Sequence, residues 1–110
     1  MMNNKLYKGS LQTIILQMLN EENRMYGYQM TQRAKELTKD SLVMTEGALY
    51  PTLHKMEEDG ILTTSSEIVN GRARKYYSIT QKGKNVLDEK LDELKIFLEN
   101  MQNMINLKPA

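Results

Sequence analysis

"TEGALYPTLHKMEEDG", residues 45–60, is the stretch on which the fold turns. Leu49, Leu53 and Met56 recur at i, i+4 and i+7, the period of one helix face. Thr45 is a suitable N-cap, Glu46 is well placed against the helix dipole, and Gly60 supplies a stop. The opposite side carries Gly47, Pro51, His54 and Glu58, flanked by Tyr50 and Lys55. Pro51 is the odd member: inside a helix a proline removes one backbone hydrogen bond and costs about 3 kcal/mol. Two starts are compatible with these residues, one at Thr45 and one at Pro51, and only the first needs a reason for keeping the proline.

Upstream, "GSLQTIILQMLNEE" places Leu11, Ile14, Ile15, Met18 and Leu19 at helical spacing behind Ser10 as N-cap, with Leu16 off the stripe, so this helix is expected to bury two faces. "GYQMTQRAKELTK" gives a second helix with Gly27, Met30, Ala34 and Leu37 on one face, its small residues suited to close packing; "KDSLVM" reads as a connector. Downstream the pattern changes to two β-prone runs, "ILTTSSEIV" and "ARKYYSIT", joined by Asn70-Gly71, the preferred pair of a type I′ hairpin turn. Tyr76 and Tyr77 alternate faces, one toward the core. From about Thr80 a long helix places Leu87, Leu91, Leu94, Leu98, Met101 and Ile105 at alternating spacings of four and three, the seam of a coiled coil, widened by Phe97 and Met104. A second copy of the chain is the simplest cover for that seam.

Composition bounds the chemistry. The 110 residues include no cysteine, which excludes disulfides, thiolate metal sites and cysteine nucleophiles, and a single histidine, His54, which lacks partners for a metal site or a catalytic relay. There is no nucleophile paired with a base and no glycine-rich phosphate loop, so neither an enzyme nor a cofactor is expected. The N-terminal "MMNNKLYKGS" has no apolar signal region, and no apolar run approaches the roughly 20 residues that span a bilayer, which predicts a cytoplasmic protein without membrane contact. Net charge is only +1, but it is unevenly spread. Arg72, Arg74, Lys75, Lys82 and Lys84 occur between Ile68 and Leu87 without an acidic residue, whereas Asp88–Glu99 holds five acids against Lys90 and Lys95. One region is built to attract polyanions and its neighbour is not.

Three helices followed by a basic hairpin is the order of a winged helix-turn-helix, in which the third helix enters the major groove and the wing reaches adjacent backbone. Arg72 and Arg74 alternate along their strand and share one side, Ala73 and Lys75 the other. The expected architecture is therefore mainly α with a small β-hairpin (α+β), a winged domain over residues 1–80 and a coiled-coil-like dimerisation helix over 81–110. At this level the chain resembles the PadR-like transcriptional regulators of bacteria. The resemblance rests on "YGYQ" at Tyr26–Gln29, "GALYPTLHKMEEDGIL" at Gly47–Leu62 and "GRARKYYSITQKGK" at Gly71–Lys84, and extends over about residues 10–100, in the short form with one C-terminal helix.

What the resemblance implies is a homodimeric repressor on a pseudo-palindromic double-stranded operator, released by a small-molecule effector whose site the residues do not reveal. It assigns Leu49-Tyr50-Pro51 to the interior of the recognition helix and dimerisation to the first and last helices. Taken with the basic wing, it makes Tyr28, Gln29, Thr45, Gly47, Tyr50, Pro51, His54, Lys55, Arg72, Arg74 and Lys75 the expected DNA contacts, and Leu87, Leu91, Leu94, Leu98, Met101 and Ile105 the expected dimer seam. Some short relatives grip flat aromatic compounds with a tryptophan at the dimer interface. This chain has no tryptophan, and the equivalent place falls near Leu94; among its nine methionines, Met18, Met101 and Met104 are suited to an adaptable apolar pocket instead. Two other classes stay open at this point: a small-molecule-sensing dimer, and a winged module that contacts only proteins.

Overall fold

The computed structural model describes residues 5–106. Along the chain run α1 (Lys5–Lys8), α2 (Leu11–Glu21), α3 (Gly27–Leu37), α4 (Glu46–Glu58), β1 (Leu62–Val69), β2 (Arg72–Ile79) and α5 (Gln81–Ile105). The mainly helical α+β order expected from the sequence is present; the outer limits of the two expected domains, residues 1 and 110, lie outside the described residues. The single turn α1 was not legible, because one turn has almost no helical stability of its own. Tyr7 packs it against the core, and the Ser10 N–H donates to the Tyr7 carbonyl at 2.9 Å.

α2 is the central element. Ile15, Leu16, Met18 and Leu19 are all buried, and the helix packs against α3, α4, β2 and α5. Leu16 is fully buried, so two faces are indeed covered. Ser10 stands at the N-cap position but its hydroxyl makes no capping bond, a correction to the expectation: the backbone there is turning out of α1 rather than extended, the geometry in which a capping hydroxyl meets the next turn. A second correction concerns Leu37. Gly27, Met30 and Ala34 are buried as expected, whereas Leu37 is 55% exposed, because the last turn of α3 runs beyond the edge of the core. The chain then reverses through Lys39 and Asp40, both in left-handed conformation. Thr38 clamps the reversal, donating from Oγ1 to the Ala34 carbonyl at 2.7 Å and accepting from the Leu42 N–H at 2.9 Å. Leu42 and Met44 of the connector are core residues.

α4 settles the question of the proline. Its N-cap is Thr45, whose Oγ1 accepts from the Ala48 N–H at 3.2 Å, so the helix begins with Glu46 and Pro51 lies inside it. Pro51 has no N–H to give the Gly47 carbonyl four residues back. At the other end the Ile61 N–H reaches the Met56 carbonyl and the Gly60 N–H reaches that of Glu57, each at 3.0 Å, with Gly60 at φ +76°. This is a Schellman cap, and the buried pair Met56 and Ile61 supplies its apolar contact.

β1 and β2 pair antiparallel from Leu62↔Ile79 to Val69↔Arg72. Asn70 and Gly71 have φ values of 51° and 77°, the double left-handed turn a two-residue type I′ hairpin needs. Of the tyrosine pair, Tyr77 is the core residue. Its backbone also exchanges two hydrogen bonds with Met25, at 3.0 and 2.8 Å, which ties the α2–α3 loop to the sheet as a one-residue third strand. Thr80 caps α5, accepting from the Gly83 N–H at 3.0 Å and donating to the Gly60 carbonyl at 2.7 Å; Lys82 Nζ reaches the Asp59 carbonyl at 2.7 Å, a cation on the C-terminal dipole of α4. Gly83 and Leu87 seat the first turns of α5 in the core.

Two substitutions test this framework. A Cβ at Gly83 would run into the Ile61 carbonyl oxygen and lie 2.8 Å from Ile79 Cγ1. Gly83→Ala is expected to lower stability by about 1–3 kcal/mol despite the better helix propensity of alanine, read as a lower denaturation midpoint; an unchanged or higher midpoint would refute the contact. Pro51→Ala restores a donor to the exposed middle of α4, and the expected result is a gain of up to about 3 kcal/mol in the same measurement.

Candidate nucleic-acid interface

The N-terminus of α3, the outer face of α4 and the hairpin enclose an open cleft of about 620 Å³. Of the expected contact residues, Tyr28, Tyr50, His54, Arg72, Arg74 and Lys75 line it. The remaining five sit elsewhere on the same elements. Gln29 is a local cap, its Oε1 accepting from the Tyr26 N–H at 3.1 Å. Thr45 is occupied as the N-cap of α4 and borders a separate apolar groove beside Tyr7 and Leu11. Lys55 pairs with Asp59 at 3.3 Å, one turn on. Gly47 and Pro51 are exposed on the first turns of α4. No atom lies within 4 Å of where a Gly47 Cβ would stand, so nothing inside the protein requires a glycine there, although glycine costs a helix about 1 kcal/mol relative to alanine.

Tyr50 is positioned by a residue the sequence reading treated as packing alone. Its ring lies over Gly27, where a Cβ would be 2.8 Å from Tyr50 Cζ and nearer still to the hydroxyl. Any larger residue at the start of α3 would expel the ring. Contact between the two helices is thus made by a tyrosine that also borders the cleft.

The strand alternation divides the basic residues as expected, and their surroundings then give them different work. Lys75 shares its face with the buried Tyr77; its Nζ lies 3.4 Å from Glu57 Oε1 and 5.3 Å from the Tyr77 ring centroid, while Thr64 Oγ1 donates to Glu57 Oε2 at 3.0 Å. Glu57 therefore bolts α4 to both strands, and Lys75 is partly spent inside the protein. Burial pushes the Tyr77 phenol above its ordinary range.

On the other face Arg74 stacks on Tyr26 at 4.2 Å from the ring centroid. Tyr26 meets Tyr76 edge to face at 5.6 Å, and Arg24 caps Tyr76 at 4.1 Å while Nη1 holds Glu67 Oε1 at 2.6 Å. That bond keeps the Glu67 carboxyl below its ordinary pKa. Arg24, Tyr26, Glu67 and Tyr76 were absent from the expected site. Two of them carried a signal, Tyr26 as the first residue of "YGYQ" and Tyr76 as the partner of Tyr77 in "ARKYYSIT", of which one was expected away from the core. Arg24 and Glu67 are 43 positions apart and meet through the Met25–Tyr77 bridge, which no local pattern announces.

Among the described residues no helix is long and apolar enough to cross a membrane. Residues 15–89 match the sequence profile of the transcriptional regulator PadR-like family. The transcriptional regulator Rv3488 of Mycobacterium tuberculosis is 40% identical over 68 residues, which are 62% of this chain and 61% of that protein. A transcriptional regulator from Clostridium thermocellum superposes with a TM-score of 0.79 at 27% identity, covering 92% of this chain and 94% of that one. Bacillus subtilis PadR, solved in complex with operator DNA, superposes with a TM-score of 0.68 at 28% identity over 74% of this chain and 45% of its own. With well over half of its length inside the profile and the winged architecture in place, the chain belongs to the PadR-like family of transcriptional regulators.

Proposed function

We propose that this regulator is a homodimeric repressor that binds a pseudo-palindromic double-stranded operator in the cytoplasm, with residues 1–80 reading DNA and residues 81–110 joining the two copies. The observation that carries the DNA half is the cleft, where Tyr50 and His54 of the recognition helix face Arg72 and Arg74 of the wing around Tyr28. Neither Arg72 nor Arg74 has an ion-pair partner among the described residues, whereas Lys55 and Lys75 do. Unpaired guanidinium groups on a wing suit phosphate or a narrow minor groove. The bare Gly47 on the first turn of α4 suits close approach of a DNA strand, and Pro51 leaves the Gly47 carbonyl without its helical donor on that same exposed surface. The Bacillus subtilis relative, solved in complex with operator DNA, supports DNA as the partner.

The dimer half is supported by α5. Beyond Leu87, which the chain's own core takes, Leu91, Leu98 and Ile105 are 38%, 51% and 53% exposed, and Phe97 and Met104 extend the same apolar strip. A row of this size along about 20 Å of helix is more than a monomeric surface usually shows. Leu94 and Met101 complete the seam at intermediate exposure. Two copies joined along it would present two recognition helices to successive major grooves. An effector enters this scheme as any small molecule that binds one spacing of the two wings better than the other, which is all that release by population shift requires.

Selection against a random double-stranded DNA library should converge on an inverted repeat; absence of retention would move the reading to protein contact alone. On the selected duplex, Arg72→Ala with Arg74→Ala is expected to lower the log–log salt slope of binding by about 1.8, two phosphate contacts' worth, and an unchanged slope would remove the wing from the interface. Leu91→Asp with Leu98→Asp should sediment as a monomer; a persisting dimer would place the interface elsewhere.

A further inference from the structure

Glu67 and Arg74 are direct partners across the hairpin, Cα opposite Cα. Opposite charges in that relation ordinarily attract one another, because their side chains leave the sheet on the same face about 5 Å apart. Here they do not pair. Glu67 Oε1 is held at 2.6 Å by Arg24, which arrives from the α2–α3 loop, and the Arg74 guanidinium sits over the Tyr26 ring with no ion pair among the described residues. Two arginines thus occupy the two ends of the Tyr26–Tyr76 pair, and the Glu67 carboxylate is paired with the one that does not line the cleft.

We propose that Arg24 is a positioning residue for DNA binding: by taking Glu67 it leaves the Arg74 guanidinium uncompensated and oriented for phosphate. A cation–π contact holds the guanidinium over the ring without using its N–H donors in ion pairs, so Tyr26 places Arg74 and leaves those donors for a second partner. Arg24 is itself held in register by the two Met25–Tyr77 backbone bonds next to it, so the loop and the wing move as one piece. Remove Arg24, and Glu67 is left opposite Arg74 as its nearest cation. The ion pair then formed would cancel one of the charges that displaces counterions from DNA. The inference rests on reading the cleft as a DNA interface, and the test separates the two.

The experiment is binding of the full chain to a fluorescein-labelled duplex of mixed sequence, titrated over a range of salt. Arg24→Ala is expected to weaken binding about eightfold near 0.1 M salt and to lower the salt slope by about 0.9, the equivalent of one phosphate contact, without touching DNA itself. Adding Glu67→Gln should restore both values, because the carboxylate that captures Arg74 is gone. On an Arg74→Ala background, Arg24→Ala should have no further effect. Loss in Arg24→Ala that Glu67→Gln fails to rescue would mean that Arg24 contacts DNA or only supports the fold, and overturns the proposal. So does unchanged binding in Arg24→Ala when Arg74→Ala alone weakens it. A wild-type chain that ignores duplex DNA, or is indifferent to Arg74→Ala, overturns the interface reading together with the proposal that rests on it.

Discussion

The Ile61 carbonyl oxygen stands where three elements cross. It follows the Schellman cap of α4, opens β1, and accepts the Thr80 N–H at 3.2 Å, while Gly83 of α5 passes so close that no side chain fits between them. Around it Thr80 Oγ1 takes the Gly60 carbonyl and Lys82 takes that of Asp59, so the exposed carbonyls at the end of α4 are satisfied by the start of α5. The consequence is geometric: α4, the root of the hairpin and the root of α5 meet at one joint.

The interface depends on how the protein distributes its own carboxylates. Four basic side chains approach the wing, and two of them are neutralised internally. Lys75 goes to Glu57 on the core side, which locks α4 to the strands, and Arg24 goes to Glu67 on the outer side. Arg72 and Arg74 are left. Each of the internal pairs is surface-exposed and contributes little stability of its own. Their value lies in which charges they leave over. A net charge of +1 is no obstacle to polyanion binding when the remaining positive charge is concentrated along one strand of a hairpin and five of the acids are clustered on α5.

Aromatic packing supplies what charge does not, namely direction. Tyr50 rests on Gly27 and fixes the recognition helix against the start of α3; Tyr26 carries Arg74; Tyr77 fills the core beneath the sheet and pairs with Met25. Of the six tyrosines, Tyr26, Tyr28, Tyr50 and Tyr77 line the cleft, rings that combine an apolar body with one polar end.

Periodicity and turn chemistry in the sequence determined the order of helices, the hairpin with its Asn70-Gly71 turn and the apolar seam of α5, because each of these is decided by residues within a turn or two of one another. The same local logic failed at Ser10, whose surroundings are shaped by a one-turn helix that exists only through tertiary packing, and at Leu37, whose periodicity was right but whose helix outruns the core. It left the start of α4 open between Thr45 and Pro51, since a proline's cost is local while the packing of Leu49, Leu53 and Met56 that outweighs it is not. The ladder from Arg24 to Arg74 was beyond its reach altogether. Its members lie on a loop and two strands, and only the bridge between Met25 and Tyr77 brings them to one face. Which arginines exist is written in the chain; which of them remain free is decided by the fold, because a carboxylate pairs with the cation that tertiary structure sets nearest to it.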